Sequence, residues 1–147
     1  MAQQTIGQGP GNLSPEKEFK TVKNTHGSAI TKGQWVAIDT VDDNGYTVVL
    51  ADVDAVGTAL AVGVVADASI ADDAFGRIQV SGFCDYATGD TNVAAGDFLA
   101  IGSTAGTVTG YDLTDMGTPA LAHFLICGQA YADDASGVVT CMIHKRI

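Results

Sequence analysis

Residues 30–38 read ITKGQWVAI, and residues 93–101 read VAAGDFLAI. Both stretches follow the order apolar-x-x-Gly-polar-aromatic-apolar-Ala-Ile. Turn glycines, apolar strands and acidic turns then follow each copy in the same order, offset by 61 to 65 residues. Two copies at so long a period do not form a solenoid, which needs three or more repeats. The pattern predicts two similar halves, at about residues 30–86 and 93–144, that share one core. Chance similarity among glycine-bounded strands is the alternative.

The rest of the chain continues this pattern as short runs rich in Val, Thr, Ile and aromatic residues, separated by Gly, Asn and Asp. Their spacing of roughly ten residues is typical of a β-sandwich or β-barrel. No long window keeps an apolar face at helical spacing without a glycine. We therefore predict an all-β fold, a small β-barrel or a β-tulip or sandwich-like domain. The predicted strands are residues 18–23, 34–39, 46–51, 60–67, 76–86, 97–101, 106–111, 123–131 and 137–144.

Two segments fall outside this pattern. Residues 1–17 offer few side chains to a core, so we predict a flexible N-terminal arm followed by a single β domain over residues 18–147. Residues 112–119 read as a longer loop, with a short helix near Ala120 as the alternative. The segment from Asp42 to Gly45 reads as a hairpin turn.

Composition excludes several classes of protein. Hydrophobic residues make up 46% of the chain and charged residues 16%, which excludes disorder of the whole chain. The net charge of −10 argues against a nucleic-acid partner, because phosphate contacts need clustered Lys and Arg. The apolar uncharged stretches at residues 55–66 and 116–132 contain glycine and are too short to cross a membrane. The N-terminus has no signal-peptide pattern, which predicts synthesis in the cytoplasm without export.

The residues that usually carry chemistry form no recognisable site. His26, His123 and His144 accompany no nucleophile motif, and neither a phosphate-binding glycine loop nor a dinucleotide fingerprint occurs. Cys141 and His144 have half of a zinc-finger spacing without a second half. Residues 40–45 resemble a calcium loop only superficially, because the twelfth position lacks the required Glu. We expect no catalytic residue, no metal and no cofactor.

The three cysteines lie in apolar stretches at Cys84, Cys127 and Cys141. Their odd number and wide spacing favour reduced thiols in the core over a disulfide framework. The aromatic residues allow a sugar-stacking platform or a core; because the repeat aligns Trp35 with Phe98, the core is favoured. The aromatic residues in question are Trp35, Tyr46, Phe83, Phe98, Tyr111, Phe124 and Tyr131.

Charge is distributed unevenly along the chain. Fifteen of the seventeen acids lie in residues 33–144, all of them Asp, and Arg77 is the one base there, so that stretch carries −14. The remaining residues hold six bases and two acids, a net +4. If the first and last strands pair, as they often do in closed β domains, these bases converge on one pole.

The strand motifs resemble those of tailed-phage capsid cement (head decoration) proteins. The resemblance covers roughly residues 20–147 and includes the GQWVA motif at 33–37, its echo GDFLA at 96–100, and the apolar segments 61–66, 76–82 and the terminal strand. It implies a small β domain on the outside of a virion capsid, commonly a trimer, with no catalytic residues. This chain differs from the family in its longer N-terminus and its acidity.

The resemblance implies a structural protein that binds the major capsid protein and neighbouring copies of itself, as a homotrimer. A carbohydrate- or receptor-binding module of a phage fibre is the alternative. We expect the arm, the first strand and the terminal strand to face the capsid and the acidic turns at residues 42–43, 72–73 and 133–134 to face water. The predicted capsid contacts are Lys17, Phe19, Lys20, Lys23, Lys145 and Arg146.

Overall fold

The computed structural model describes residues 16–42, 45–54, 57–111 and 125–147. These residues form an all-β fold, and no helix occurs among them. Each of the nine predicted runs overlaps a strand, and two further strands of two residues each were not predicted. The strands are β1 (Glu18–Asn24), β2 (Ile30–Thr31), β3 (Trp35–Ile38), β4 (Thr47–Leu50), β5 (Gly63–Val65), β6 (Ser69–Ile70), β7 (Phe75–Thr88), β8 (Phe98–Ile101), β9 (Val108–Tyr111), β10 (Gly128–Ala130) and β11 (Val138–Ile143).

Five strands of the first half close into a barrel. They follow the order β1-β4-β3-β5-β7, and β1 also pairs with β7, which completes the ring. The two pairings of β1 differ, since it lies parallel to β4 and antiparallel to β7. β2 and β6 form a separate two-stranded ribbon. Aliphatic side chains fill this barrel: Val22, Ile30, Val36, Val48, Val62, Val65, Ile70, Ile78 and Val80.

The second half continues from the same long strand. Its strands follow the order β7-β11-β10-β8-β9, and a parallel bridge between Gly89 and Val108 brings β9 back beside the end of β7. Strand β7 is therefore a wall of both halves, with residues 75–81 paired to β1 and residues 82–88 paired to β11. Gly82 lies between these two parts with a φ of +92°, and a side chain there would collide with the Glu16 carbonyl.

A segment of the first half completes the second. The Thr88 amide donates to the Gly33 carbonyl at 2.9 Å, and the Trp35 amide donates to the Gly106 carbonyl at 2.9 Å. The backbone of residues 33–35 thus joins the end of β7 to the β8–β9 turn. Trp35 is fully buried in the second core, which confirms its predicted core position. Its indole Nε1 finds no hydrogen-bond acceptor there among the described residues.

Backbone hydrogen bonds recur in the two halves at the spacing of the sequence repeat. Gly33 and Gly96 have nearly equal φ values of +92° and +91°. The matching bonds, donor first, are Gly33–Val65 (2.9 Å) with Gly96–Ala130 (2.9 Å), Gln34–Thr31 (3.1 Å) with Asp97–Ala94 (3.1 Å), and Val62–Val36 (2.8 Å) with Cys127–Leu99 (2.8 Å). These matches favour the predicted internal repeat, which stays a prediction.

Some predictions from the sequence are corrected here. The first and last strands do not pair with each other, because each takes a different part of β7 as its partner. Tyr46 and Tyr131 are not core residues; their exposed fractions are 69% and 55%. The three cysteines are free and buried, as predicted. The predicted arm up to residue 15, the helix near residue 120, His123, Phe124 and the tip of the first hairpin lie outside the described residues.

Candidate interaction surface

Two groups of the predicted contact residues meet near the middle of β7. β1 begins there and β11 ends there, since Glu18 lies opposite Ser81 and Ile143 opposite Gly82. Lys145 Nζ contacts both carboxylate oxygens of Glu18, at 2.8 and 2.9 Å. The strands thus meet end to end instead of side by side, and Lys17 and Lys145 lie near this junction.

The other predicted bases on this side have partners of different kinds. Lys17 Nζ lies 5.9 Å from the centre of the Phe83 ring. That ring is 5.8 Å from the ring of Tyr131. Arg146 donates a hydrogen bond to the Ile126 carbonyl. Lys17 and Arg146 therefore extend the basic region onto the second half.

Lys20 and Lys23 lie further along β1, toward the opposite end of the barrel. Lys23 Nζ binds the Asp73 carboxylate at 2.8 Å, and this hydrogen bond raises the pKa of Lys23 above its usual value. Lys20 is exposed and has no ion pair within the described parts of the chain. Of these two lysines, Lys20 is the one with a charge available to a partner.

Exposed aromatic rings surround the outer side of β1. Phe19, Tyr46 and Phe75 have exposed fractions of 44%, 69% and 69%. Phe75 lies opposite Lys23, and the Arg77 guanidinium lies 5.8 Å from the centre of the Phe19 ring. We call this surface the β1 face and define it as Phe19, Lys20, Thr21, Lys23, Tyr46, Phe75 and Arg77. Its mixture of aromatic and basic groups is unusual in a chain with net charge −10.

Two grooves cross the β1 face on either side of Tyr46. One, of about 320 Å³, is lined by Thr21, Lys23, Tyr46 and Phe75. The other, of about 240 Å³, is lined by Lys20, Thr21, Val22, Gly45, Tyr46 and Ile147. Thr21 and Tyr46 belong to both. Concave surfaces with apolar walls and a few polar groups are the usual form of binding sites.

The acidic turns serve the fold as well as facing solvent. Asp72 accepts a hydrogen bond from the Gly27 amide at 2.8 Å, and Asp133 accepts one from the Ala95 amide at 2.9 Å. Asp134 accepts one from the Gly137 amide at 2.6 Å. Because short acidic side chains cap backbone amides in this way, the turns favour Asp over Glu. Asp43 of the first acidic turn lies outside the described residues.

Chemistry-bearing groups elsewhere are scattered or buried. The described residues contain no group of three His, Cys, Asp or Glu side chains close enough to hold a metal ion. Cys84 and Cys141 are direct cross-strand neighbours. Their mutual hydrogen bond lowers the pKa of Cys84 and raises that of Cys141. Burial raises the pKa of Cys127 to about 12 and lowers the pKa of the partly buried His144.

Sequence reasoning missed part of the β1 face. Phe75 and Arg77 were not predicted as contact residues, although alternation along β7 places Phe75 on the same side as the charged Arg77 and away from the buried Gly76 and Ile78. Tyr46 was placed in the core. The alternation of β7 was the signal that could have identified Phe75, whereas Tyr46 precedes β4 and has no such pattern.

Comparisons with known proteins identify a structural relative. No protein-family model matches the chain, and no curated protein matches it. The fold is similar to that of the N base of head fibre gp8.5 in bacteriophage phi29, with a TM-score of 0.53. The likeness covers 88% of this chain and 95% of that one at 13% sequence identity, so it shows a shared fold. No helix in the described residues has the length and apolar character needed to span a bilayer.

Proposed function

We propose that this protein is a structural component of a bacteriophage head, a decoration or cement protein that binds the outer capsid surface. The observation that carries the proposal is the fold likeness to the base of a head fibre, which extends over nearly the whole of both chains. The resemblance of the strand motifs to capsid cement proteins supports the same function. In this function the chain stabilises contacts between major capsid subunits and performs no catalysis.

The β1 face is the surface that we assign to the capsid. Exposed aromatic rings supply apolar contact area, and Lys20 supplies an available positive charge. The ion pairs of Lys23 with Asp73 and Lys145 with Glu18 reduce the charge that these bases present to a partner. Exposed ion pairs contribute only about 0.2–1 kcal/mol each, so apolar and backbone contacts hold the complex while charge guides its orientation.

The proposed working form is a homotrimer on the outside of the virion, with each copy contacting the major capsid protein and its neighbours. The protein is made in the host cytoplasm. The exposed acidic residues of the turns then face solvent and keep particles mutually repulsive. A density map of the decorated head tests this arrangement directly; isolated single copies on the capsid would contradict the trimer.

Attachment to undecorated heads of the parent phage tests the function. We expect saturable co-sedimentation of the wild-type protein with heads, and weaker attachment of Lys20→Glu. Lys32→Glu is the matched control, because it changes the net charge equally at a lysine that lies over Tyr86 in the second half, 4.8 Å from the ring centre. Failure of the wild-type protein to attach would refute the decoration function.

A fibre module that binds carbohydrate is the second candidate. The observation that favours it is the larger groove, where exposed Tyr46 and Phe75 flank Thr21 and Lys23 as a stacking platform would. Binding of the isolated protein to a glycan array, lost in Tyr46→Ala, would favour this function. Attachment to heads without any glycan binding would favour the first.

A further inference from the structure

The starting observation is an open strand edge at the start of β1. Strand β1 pairs with β7 from Glu18 to Lys23, but it pairs with β4 only at Lys23 and Asn24. The amides of Lys23 and Thr25 donate to carbonyls of Tyr46 and Val48, on the β4 side. The amide of Asn24 donates to Ala74, on the β7 side. Since backbone groups alternate along a strand, those of Phe19 and Thr21 also point to the β4 side.

No described strand covers these groups of Phe19 and Thr21. Both residues are exposed, and Thr21 lies between the two grooves of the β1 face. An uncovered row of N–H and C=O groups is a template on which another extended chain can pair. Here the template has walls of Tyr46 and Phe75 on one side and Lys20 and Ile147 on the other.

In the second half, the strand edge that corresponds to the open edge of β1 is covered. At the repeat spacing, Thr21 and Lys23 correspond to Tyr86 and Thr88 in the second part of β7. There Gly33, in a turn with a φ of +92°, lies on this edge, and its carbonyl accepts a hydrogen bond from the Thr88 amide at 2.9 Å. The approach is so close that a Cβ on Gly33 would lie 2.5 Å from the Tyr86 carbonyl oxygen.

We propose that the β1 edge receives an extended segment of the capsid subunit, which adds to the barrel as a strand beside Phe19 and Thr21. This inference rests on the proposed function for the source of the segment. The chemistry of the segment follows from the walls: apolar or aromatic side chains for the grooves beside Tyr46 and Phe75, and a carboxylate for Lys20. Backbone pairing supplies affinity and the two grooves supply specificity, as in other strand-addition complexes.

Amide hydrogen exchange on head-bound protein tests the strand addition. We expect the amides of Phe19 and Thr21 to exchange quickly in the free protein and at least tenfold more slowly on heads. The amide of Lys23 is the internal control, because it already donates to Tyr46 at 2.8 Å. Unchanged exchange at Phe19 and Thr21 on saturated heads would overturn the inference.

Two substitutions at one position provide a second test. Thr21→Pro removes the N–H that faces the open edge and leaves the bonds to β7 in place, because proline is tolerated where a strand's N–H is unpaired. Loss of one backbone hydrogen bond predicts about tenfold weaker attachment to heads. Thr21→Ala keeps the N–H and should lose clearly less attachment than Thr21→Pro; equal losses would contradict the strand addition.

The outcomes separate the inference from the function. If wild-type protein and Thr21→Pro attach equally, strand addition is wrong and the decoration function stands. If wild-type protein does not attach to heads, both the strand addition and the decoration function are wrong. If Thr21→Pro does not fold, as judged by its thermal melt, the exchange of the wild-type amides decides alone.

Discussion

Lys145 donates to both carboxylate oxygens of Glu18, at 2.8 and 2.9 Å, although 127 positions separate the two residues in the chain. The contact joins the beginning of β1 to the residues that follow β11. Both strands reach this point because each pairs with a different part of β7. The ion pair therefore ties the two halves of the molecule together over their shared strand.

Reversing the charges of Glu18 and Lys145 measures the interaction energy of this ion pair. We expect Lys145→Glu and Glu18→Lys each to lower the free energy of unfolding, and the double exchange to restore most of the loss. The coupling should be about 0.2–1 kcal/mol at low salt and smaller at high salt, since both groups are partly exposed. Urea unfolding of the four proteins gives the double-mutant cycle. If the losses of unfolding free energy are purely additive, the ion pair does not stabilise the fold.

Gly33 and Gly96 offer a matched pair of substitutions. Both have φ near +90°, where any other residue is strained, so Gly96→Ala should lose about 1–2 kcal/mol of unfolding free energy. Gly33→Ala should lose clearly more, because its Cβ would lie 2.5 Å from the Tyr86 carbonyl oxygen and 2.9 Å from Thr88 Oγ1. At Gly96 nothing lies within 4 Å of that position. Equal losses in chemical denaturation would show that residues 33–35 do not fill the second half as described.

Asp67 should make stability depend on acid pH. Its carboxylate accepts from the Arg77 backbone amide at 2.9 Å and from the guanidinium at 2.9 and 3.0 Å. These hydrogen bonds, the backbone one first, lower the pKa of Asp67. Because its pKa is lower in the folded state, the ionised carboxylate stabilises the fold at pH values above the unfolded pKa of about 3.9. This stabilisation is lost as the pH falls through the folded-state pKa.

Asp67→Asn removes that dependence. We expect the wild type to exceed this variant in unfolding free energy at pH 6, with the difference narrowing below about pH 4 as the wild-type carboxylate protonates. Urea titrations between pH 2.5 and 7 provide the measurement. A difference that stays constant over the whole range would rule out the Arg77 contact as its source.

The thiols should be inaccessible in the folded protein. Cys84, Cys127 and Cys141 are all buried and free. Burial raises the pKa of Cys127 to about 12, so little thiolate is present at pH 8. Mass spectrometry after brief alkylation should find no modification in buffer and three modifications in denaturant. Rapid modification of any cysteine without denaturant would indicate local opening of the second half.

Local sequence predicted the strands well because their signals are local. In β7, Gly76, Ile78 and Val80 are buried while Phe75 and Arg77 are exposed, which is the alternation that the sequence displays. The strands β2 and β6 were missed because a run of two residues is too short to show the alternation of buried and exposed positions. Their pairing of Ile30 with Ile70 depends on the approach of distant segments.

Strand neighbours and the site were harder to predict. Pairing of β1 with β7 joins residues more than fifty positions apart, and nothing local distinguishes it from the expected pairing with β11. Basic residues predicted the general region, but not that Lys23 and Lys145 are bound by Asp73 and Glu18. The open edge at Thr21 is a property of the backbone, which side-chain patterns do not report.

The shared strand gives the chain an order of assembly that matches its direction of synthesis. All five strands of the first barrel have been synthesised once β7 is made, and no later strand takes part in closing that barrel. The second half takes one wall from β7 and one sealing segment from residues 33–35, both already in place. We expect the nascent first half to act as the template on which the second is built, so that a chain interrupted after β7 keeps a closed barrel while an isolated second half does not fold.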